Sequence, residues 1–141
     1  SNTRLLRERL LVDRAAAANY VPLYTDAPTP EEGFGVLEEA LAPQLPIDVM
    51  LLGMGADMHT ASIFPGADKL HEALHGDANL VPMRAPGAPE PRVTLSAKVL
   101  RAAIQRHVVI IGPEKRAALE RAQTLSPDEA PIAAILPGAP S

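Results

Sequence analysis

A mostly apolar segment, residues 47–52 (IDVMLL), runs directly into a glycine-rich segment, residues 53–66, and this junction constrains the fold strongly. A continuous apolar run of strand length is typical of a strand that is covered on both faces in a parallel sheet. Residues 107–111 (HVVII) form a second such run, and a helix signal begins soon after it at Pro113. Because parallel strands need long crossover connections that are usually helical, the sequence predicts the α/β class.

Helix and strand signals alternate along the rest of the chain. Thr29-Pro30-Glu31-Glu32 combines an N-cap, a proline at the first helical position and a glutamate three residues after the cap. We predict helices over residues 3–19, 29–41, 68–75, 96–103 and 113–122, a helical turn within 128–136, an extended piece at 21–24, and further strands at 80–83 and 93–95. A sheet of these strands alone is small and has bare edges, so we expect a single α/β domain over 1–141 that is a fragment of a larger domain.

Composition excludes several classes of protein. The 141 residues include no Cys, which excludes a disulfide framework, a thiol nucleophile and a thiolate metal site. The net charge of −4 comes without a basic stripe, and there are only two Phe, two Tyr and no Trp, so nucleic acid is not an expected partner. No apolar stretch approaches the ~20 residues of a membrane-spanning helix, and no signal-peptide pattern is visible, so we expect neither membrane insertion nor secretion.

The glycine-rich segment carries two residues suited to proton transfer, Asp57 and His59. In open α/β sheets, ligands bind outside the carboxyl ends of the strands, which is where this segment falls. An imidazole can remove a proton from water near neutral pH, and a neighbouring carboxylate can fix its tautomer. The same spacing also suits a polar turn in which Asp57 caps a backbone N–H group and His59 is simply exposed, so spacing alone leaves both interpretations open.

Three other functional motifs, for dinucleotide binding, a serine nucleophile and zinc binding, are only weakly supported by the sequence. A dinucleotide-binding fingerprint needs a third glycine where Met58 stands. No Gly-x-Ser-x-Gly elbow surrounds Ser62, so Ser62 and Thr60 are interpreted as turn and cap residues rather than nucleophiles. His71-Glu72-Ala73-Leu74-His75 matches the His-Glu-x-x-His zinc motif, but Gly76 ends the helix at once, which favours a surface helix with two histidines.

Several stretches of the chain resemble the 6-phosphogluconolactonase family, and they come in the family's order. Residues 53–66 read Gly-Met-Gly-Ala-Asp-Met-His-Thr-Ala-Ser-Ile-Phe-Pro-Gly, which is similar to the family signature. The resemblance extends to Ser1-Asn2, to Arg92-Val93-Thr94-Leu95, to the helix start within 111–119 and to residues 131–136.

The sequence also differs from the family in two respects. The family usually has Gly where this chain has Met58, and an ordinary turn conformation there would accept Met. The family's Gly-Gly-[Ser/Thr] loop, its Asp-Glu-Arg motif and its closing strand do not occur in these residues. The chain therefore resembles the central and C-terminal part of such an enzyme.

The resemblance implies a reaction and a fold. The reaction is hydrolysis of 6-phospho-D-glucono-1,5-lactone to 6-phosphogluconate in the oxidative pentose phosphate pathway, carried out by a cytoplasmic enzyme. The fold is a Rossmann-like three-layer αβα arrangement with a mostly parallel sheet, incomplete at both ends in this chain. Because a lactone is an activated ester, positioning and one base suffice, and we expect no metal or organic cofactor.

The resemblance also implies roles for individual residues. His59 is expected to activate water as the general base, and Asp57 to orient it. Backbone N–H groups of the loop at Gly53 and Gly55 are expected to help hold the substrate. Lys115, near a helix N-terminus, is expected to bind the phosphate.

Some alternatives remain open at the level of sequence. Arg92 could hold the phosphate or pair with a carboxylate, and Lys115 could be a solvated surface residue. Aminosugar-phosphate isomerases of the same superfamily continue after the histidine with an Asn-Glu-Pro type segment, whereas His59 is followed by Thr-Ala-Ser-Ile-Phe-Pro, which favours the lactonase. A third alternative is a sugar-phosphate-binding fragment without turnover.

Overall fold

The computed structural model describes residues 2–137, so Ser1 of the Ser1-Asn2 motif lies outside the described residues. The helices are α1 (Asn2–Arg9), α2 (Phe34–Leu41), α3 (Leu70–His75), α4 (Ala97–Ala102) and α5 (Pro113–Ala122), and the strands are β1 (Val49–Leu52), β2 (Leu80–Ala85), β3 (Ala88–Leu95) and β4 (Gln105–Val108). Short 3₁₀ turns lie at Asp13–Ala15, Ala42–Gln44 and Pro131–Ala134. This mixture of helices and strands confirms the α/β class. None of the helices just described is long and apolar enough to cross a membrane.

Strands β1 and β4 form a parallel pair that brings two chain segments to one edge. Val49 lies opposite Gln105, and Leu52 lies opposite Val108. The Val109 amide donates to the Leu52 carbonyl oxygen (2.8 Å), so the pairing continues to the carboxyl ends of both strands. The segment that follows β1 and the segment that leads into α5 therefore leave the sheet at the same edge.

One face of this pair is exposed, which contradicts the prediction that both apolar runs are covered on both faces. Met50 and Leu52 are buried, with 5% and 9% of their surface exposed. On the opposite side, Val49 and Leu51 of β1 are exposed, as are Val109 and Ile111 just beyond the end of β4; these four side chains, 50% to 86% exposed, are called the open face. Apolar composition specifies a strand but not the layers that pack on it, and no part of residues 2–137 covers these side chains.

Strands β2 and β3 form an antiparallel hairpin. Leu80 pairs with Leu95 and Ala85 with Ala88, with a register irregularity between Met83 and Ala85. Both strands are longer than predicted, because the cross-strand pairing continues to the turn and includes residues whose proline content obscures the strand pattern. The hairpin turn, which contains Gly87, lies next to the glycine-rich segment.

A single apolar cluster supports the glycine-rich segment from below. It includes Met54 and Ile63 of that segment together with buried side chains of β1, α3, β2, α4, α5 and the 3₁₀ turn at Pro131–Ala134. Many of its helical members are alanines (Ala73, Ala97, Ala118 and Ala122), which let the helices approach the strands closely. A smaller cluster holds α2 against the hairpin through Leu37, Leu41 and Leu80.

The first helix is much shorter than the predicted 3–19. It ends at Arg9, has no buried residue, and is followed by the 3₁₀ turn at Asp13–Ala15. Leu10 and Val12 are 58% and 39% exposed, so the apolar stripe that favoured a longer helix has no surface to pack against. A helix of this length depends on such packing, and the prediction was wrong for this reason.

The remaining elements agree more closely with the sequence. Helix α5 has the predicted bounds, and Ser96 caps α4 by accepting a hydrogen bond from the Val99 amide (3.4 Å). Helix α2 begins later than predicted, at Phe34, because the residues after Thr29 form a turn in which the Thr29 hydroxyl accepts from the Glu32 amide (3.4 Å). Residues 21–24 lie in no strand, and only residues 131–134 of the segment 128–136 are helical.

Candidate active site

The glycine-rich segment leaves β1 and folds back on itself as a closed loop. The Thr60 hydroxyl is fully buried and donates to the Gly53 carbonyl oxygen (2.9 Å), and the Gly55 amide donates to the His59 carbonyl oxygen (3.1 Å). Thr60 is therefore structural, as predicted. The Ser62 amide donates to the buried Thr94 hydroxyl (3.0 Å), which fastens the far side of the loop to β3. This loop presents Asp57 and His59 at the carboxyl end of β1.

Asp57 and His59 form a hydrogen-bonded pair in this loop. One carboxylate oxygen of Asp57, Oδ1, contacts Nδ1 of His59 (2.5 Å) and also accepts from the His59 backbone amide (3.1 Å). An ionised carboxylate can only accept, so Nδ1 of a neutral His59 must carry the proton and Nε2 keeps its lone pair. The side chains are 29% and 44% exposed for His59 and Asp57. The pair thus presents an oriented, solvent-accessible proton acceptor.

Met58, between these two residues, has a left-handed backbone conformation with φ of 70°. The expectation of an ordinary turn at this position was therefore wrong. A residue with a side chain pays about 1–2 kcal/mol for this conformation. The Met58 amide donates to the Gly55 carbonyl oxygen (2.9 Å), and the Met58 carbonyl oxygen accepts from the Ile132 amide (3.1 Å). These bonds from both sides hold the strained turn in place.

Gly55 leaves room for the Asp57–His59 pair. A Cβ atom built on Gly55 would collide with Cε1 and Nδ1 of the His59 ring and lie 2.7 Å from Asp57 Oδ1. The Gly55 amide is already bonded within the loop, so this glycine contributes clearance rather than a free N–H group for a ligand. A Cβ on Gly53 would meet nothing within 4 Å.

Phe64 is a site residue that sequence reasoning missed. Its ring is stacked on the His59 imidazole, with centroids 4.3 Å apart and planes inclined by 24°. The guanidinium carbon of Arg92 lies 5.9 Å from the centre of the same ring. Arg92 and the Asp57–His59 pair are therefore neighbours of the same aromatic ring. A signal was available, because Phe64 is one of only four aromatic residues and falls inside the glycine-rich segment.

Arg92 and Lys115 are the predicted phosphate-binding cations. Arg92 is exposed and forms no ion pair with any carboxylate of residues 2–137. This argues against the alternative in which Arg92 pairs with a carboxylate. Arg92 also lines a cleft of about 950 Å³ together with Ser62 and Tyr20. Lys115 is half-buried in the first turn of α5. It shares the sheet edge with the loop after β1, but no contact within the described residues joins it to His59.

The His-Glu-x-x-His pattern lies on α3, away from this loop. The rings of His71 and His75 are neighbours, with centroids 5.0 Å apart, and Glu72 pairs with Lys69 (3.3 Å). Within residues 2–137, no group of three or more His, Asp and Glu side chains is arranged to hold a metal ion. The zinc interpretation therefore has no third ligand in this part of the chain.

Comparison with known proteins gives a consistent result. A family model described as glucosamine-6-phosphate isomerases/6-phosphogluconolactonase matches residues 1–141. A 6-phosphogluconolactonase of Rhizobium meliloti (strain 1021) is 43% identical over 141 residues, which cover 96% of this chain and 60% of that protein. The corresponding protein of Pseudomonas aeruginosa is 42% identical over 125 residues, which cover 86% of this chain and 52% of that protein.

Solved structures of proteins with the same description have the same fold. A 6-phosphogluconolactonase from Shewanella baltica OS155 superposes with a TM-score of 0.91 at 33% identity, covering 99% of this chain and 62% of that one. A putative 6-phosphogluconolactonase from Neisseria gonorrhoeae gives a TM-score of 0.81 at 34% identity. The α/β, Rossmann-like class with a parallel strand pair is thereby confirmed. The chain spans about 60% of the length of the relatives it matches.

Proposed function

We propose that this chain, which belongs to the glucosamine-6-phosphate isomerase/6-phosphogluconolactonase family, carries the proton-transfer loop of a 6-phosphogluconolactonase. The reaction is hydrolysis of 6-phospho-D-glucono-1,5-lactone to 6-phosphogluconate, a step of the oxidative pentose phosphate pathway. The observation that carries the proposal is the Asp57–His59 pair at the carboxyl end of β1, with its Nε2 free to accept a proton. The names of the relatives supply the substrate. The cytoplasmic location implied by the family stays a prediction.

The proposed mechanism uses His59 as the base and Asp57 as its orienting partner. Nε2 takes a proton from a water molecule as the water oxygen attacks the lactone carbonyl carbon, and Asp57 stabilises the imidazolium that forms. When the tetrahedral intermediate collapses, the bond from the carbonyl carbon to the ring oxygen breaks, and the ring oxygen receives the proton from Nε2. The products are the open-chain acid and an unprotonated His59, so one water molecule is consumed and no other co-reactant or cofactor is needed.

The phosphate of the substrate calls for cations near this loop, and we assign this role to Arg92 and Lys115. The Arg92 guanidinium lies beside Phe64 and forms no ion pair with residues 2–137, so it can offer bidentate hydrogen bonds to a phosphate. Lys115 adds an ammonium to the N-terminal turn of α5, where unpaired amides and the helix dipole favour an anion. Because α5 follows β4 and the loop follows β1, Lys115 would approach a substrate on His59 from the same sheet edge. Arg92 lies on β3 and would approach it from the side of Phe64.

The test is a rate measurement with a matched histidine control. We expect His59→Ala to lower the rate of enzyme-dependent lactone hydrolysis on the order of 10²-fold or more, because general-base catalysis contributes about this much. His71→Ala removes an exposed histidine of α3 and should leave the rate unchanged. The assay follows acid release from 6-phospho-D-glucono-1,5-lactone and subtracts spontaneous hydrolysis, and circular dichroism checks that each variant folds.

Three outcomes would contradict the proposal. Deamination of glucosamine 6-phosphate without lactone hydrolysis would identify the isomerase branch of the family. Calorimetric binding of a phosphosugar without turnover would identify a binding fragment. Equal rates for the native chain and His59→Ala would remove His59 from the mechanism.

A further inference from the structure

Phe64 lies between the two chemical groups of the site without being able to react itself. Its side chain is 6% exposed, so the ring is held by the surrounding protein rather than by solvent. One neighbour of the ring is the His59 imidazole, and another is the Arg92 guanidinium. These are the proposed base and one proposed anion-binding group, and they make no direct bond to each other in the structure.

We propose that Phe64 is the positioning residue of this site, because its buried ring contacts both the His59 imidazole and the Arg92 guanidinium and so fixes their separation. The inference rests on the proposed function and deepens it. In a phosphorylated sugar lactone the ester carbon and the phosphate are a fixed number of bonds apart. A base and a cation held at a fixed separation by one side chain can therefore meet the ester carbon and the phosphate of the same substrate molecule.

The surroundings of Phe64 restrict the space around its ring. Residues Ile63 and Thr60 on the same loop are fully buried, and the hairpin turn at Gly87 approaches from the other element. A Cβ atom on Gly87 would lie 3.5 Å from Phe64 Cδ1 and 3.6 Å from Asp57 Oδ2. The hairpin turn therefore lies beside both the aromatic ring and the carboxylate, and it limits the space into which the Phe64 ring can move.

The ring also has an electrostatic effect on the reaction. When Nε2 of His59 accepts a proton, the imidazole becomes a cation stacked on an aromatic face. Aromatic faces attract cations because their quadrupole is negative above the ring plane. The guanidinium of Arg92, 5.9 Å from the ring centre, is attracted to the Phe64 ring in the same way. The Phe64 ring thus favours the protonated form of His59 that the proposed reaction passes through, and it attracts the Arg92 guanidinium.

The chain contains one other phenylalanine, which provides a matched control. Phe34 lies at the start of α2 and packs against the small cluster of Leu37, Leu41 and Leu80. Phe34→Leu makes the same chemical change as Phe64→Leu at a place that touches neither His59 nor Arg92. Phe64→Tyr keeps an aromatic face and is the conservative variant for rescue.

The first measurement is nuclear magnetic resonance of the His59 ring protons, which needs no substrate. Protons stacked over an aromatic ring resonate upfield, so we expect the His59 signals to move downfield in Phe64→Leu and to stay in place in Phe64→Tyr and Phe34→Leu. His59 is assigned through His59→Ala. Signals of His59 that are unchanged in a folded Phe64→Leu would overturn the proposal.

The second measurement separates binding from chemistry. We expect Phe64→Leu to lower kcat for 6-phospho-D-glucono-1,5-lactone by up to about 10²-fold, as for a catalytic group displaced by about 1 Å, and to raise KM as well. Phe64→Tyr should recover most of both losses. Native kcat and KM in Phe64→Leu would overturn the positioning role. A native chain that hydrolyses no lactone would overturn the proposed function instead, and the ring-proton signals would still decide whether Phe64 positions His59.

Discussion

At the scale of single residues, the closest approach in the site is that of Gly55 to the Asp57–His59 pair. We expect Gly55→Ala to lower kcat/KM for the lactone about 10²-fold, because the added methyl group must push the imidazole and the carboxylate from their places. Gly35→Ala is the matched control, since a Cβ there also meets nothing within 4 Å and Gly35 lies in α2, outside the candidate site. Steady-state kinetics of the two variants decide the matter, and full activity in Gly55→Ala would contradict the geometry described for this loop.

The role of Lys115 is also a question about one side chain. We expect Lys115→Ala to raise KM for the phosphorylated lactone more than KM for unphosphorylated glucono-1,5-lactone, because only the former has an anionic group for the ammonium to bind. Arg116→Ala is the control, since Arg116 is an adjacent cation that pairs with Glu120 (3.4 Å). Equal changes in KM for the two lactones would show that Lys115 is structural.

The sequence pointed to Asp57 and His59 as a candidate pair, and the structure shows them hydrogen-bonded, but the sequence did not predict the conformation that holds them. Asp57 and His59 were recognisable because a carboxylate and an imidazole follow an apolar strand in a glycine-rich segment. The left-handed turn at Met58 could not be predicted, because a hydrogen bond from distant Ile132 helps to impose it. The contact of Phe64 with Arg92 depends in the same way on the packing of β3 against the loop.

At the scale of elements, one ion pair ties the turn before α2 to strand β2. Arg84 donates to both carboxylate oxygens of Glu31 (2.7 and 3.2 Å), and these hydrogen bonds lower the pKa of Glu31 from 4.5 to about 2. The pKa of Arg84 is raised by the same contact. Both side chains are nearly half exposed, so the pair is open to screening by salt.

This pKa predicts a specific dependence of stability on pH. Because folding lowers the pKa of Glu31, its contribution to the free energy of unfolding is complete above pH 4.5 and is lost as the pH falls through about 2. We expect Glu31→Gln to melt at a lower temperature than the native chain above pH 5, and the two to converge as the pH falls toward 2. Added salt should shrink the difference.

Glu32→Gln is the control for this measurement, since the adjacent Glu32 has no ion pair among residues 2–137. Thermal melts followed by circular dichroism at several pH values are sufficient. A constant difference between the native chain and Glu31→Gln from pH 7 to pH 2 would show that the ion pair does not titrate as described.

Elements whose bounds depend on neighbouring residues in the sequence were predicted well, and elements whose bounds depend on distant packing or pairing were not. Helix α5 was predicted with its bounds because its start signal, a glycine followed by proline, is local. Helix α1 was predicted too long because an apolar stripe was counted without knowing whether a surface would cover Leu10 and Val12. Strand β3 was predicted too short because its pairing partner, rather than its own prolines, determines its length.

At the scale of the whole molecule, the exposure of the open face leads to two measurable expectations. Leu51 is 72% exposed, whereas its neighbour Leu52 is 9% exposed and part of the main core. We expect Leu51→Lys to change the free energy of unfolding by no more than about 0.5 kcal/mol, as for other surface substitutions. Leu52→Ala should cost about 2–5 kcal/mol, as for other buried leucines.

Leu51→Lys, which should hardly change stability, should have a clear effect on self-association. Exposed apolar patches promote contact between molecules, so Leu51→Lys should reduce concentration-dependent association of the chain. Chemical denaturation measures the free energy of unfolding, and sedimentation velocity measures the association. A large loss of stability in Leu51→Lys would mean that another layer covers the open face in solution.

The hydrogen bond from the Ile132 amide to the Met58 carbonyl oxygen connects the C-terminal part of the described chain to the loop that carries the proposed base. The turn at Pro131–Ala134 is buried in the main core and acts as a latch on the strained loop through this one amide. A proteolytic cut or a bulky fusion that dislodged this turn would release Met58 and let the neighbouring imidazole drift. Under the proposed mechanism, such a protein would lose the oriented base even where the rest of the core stays folded.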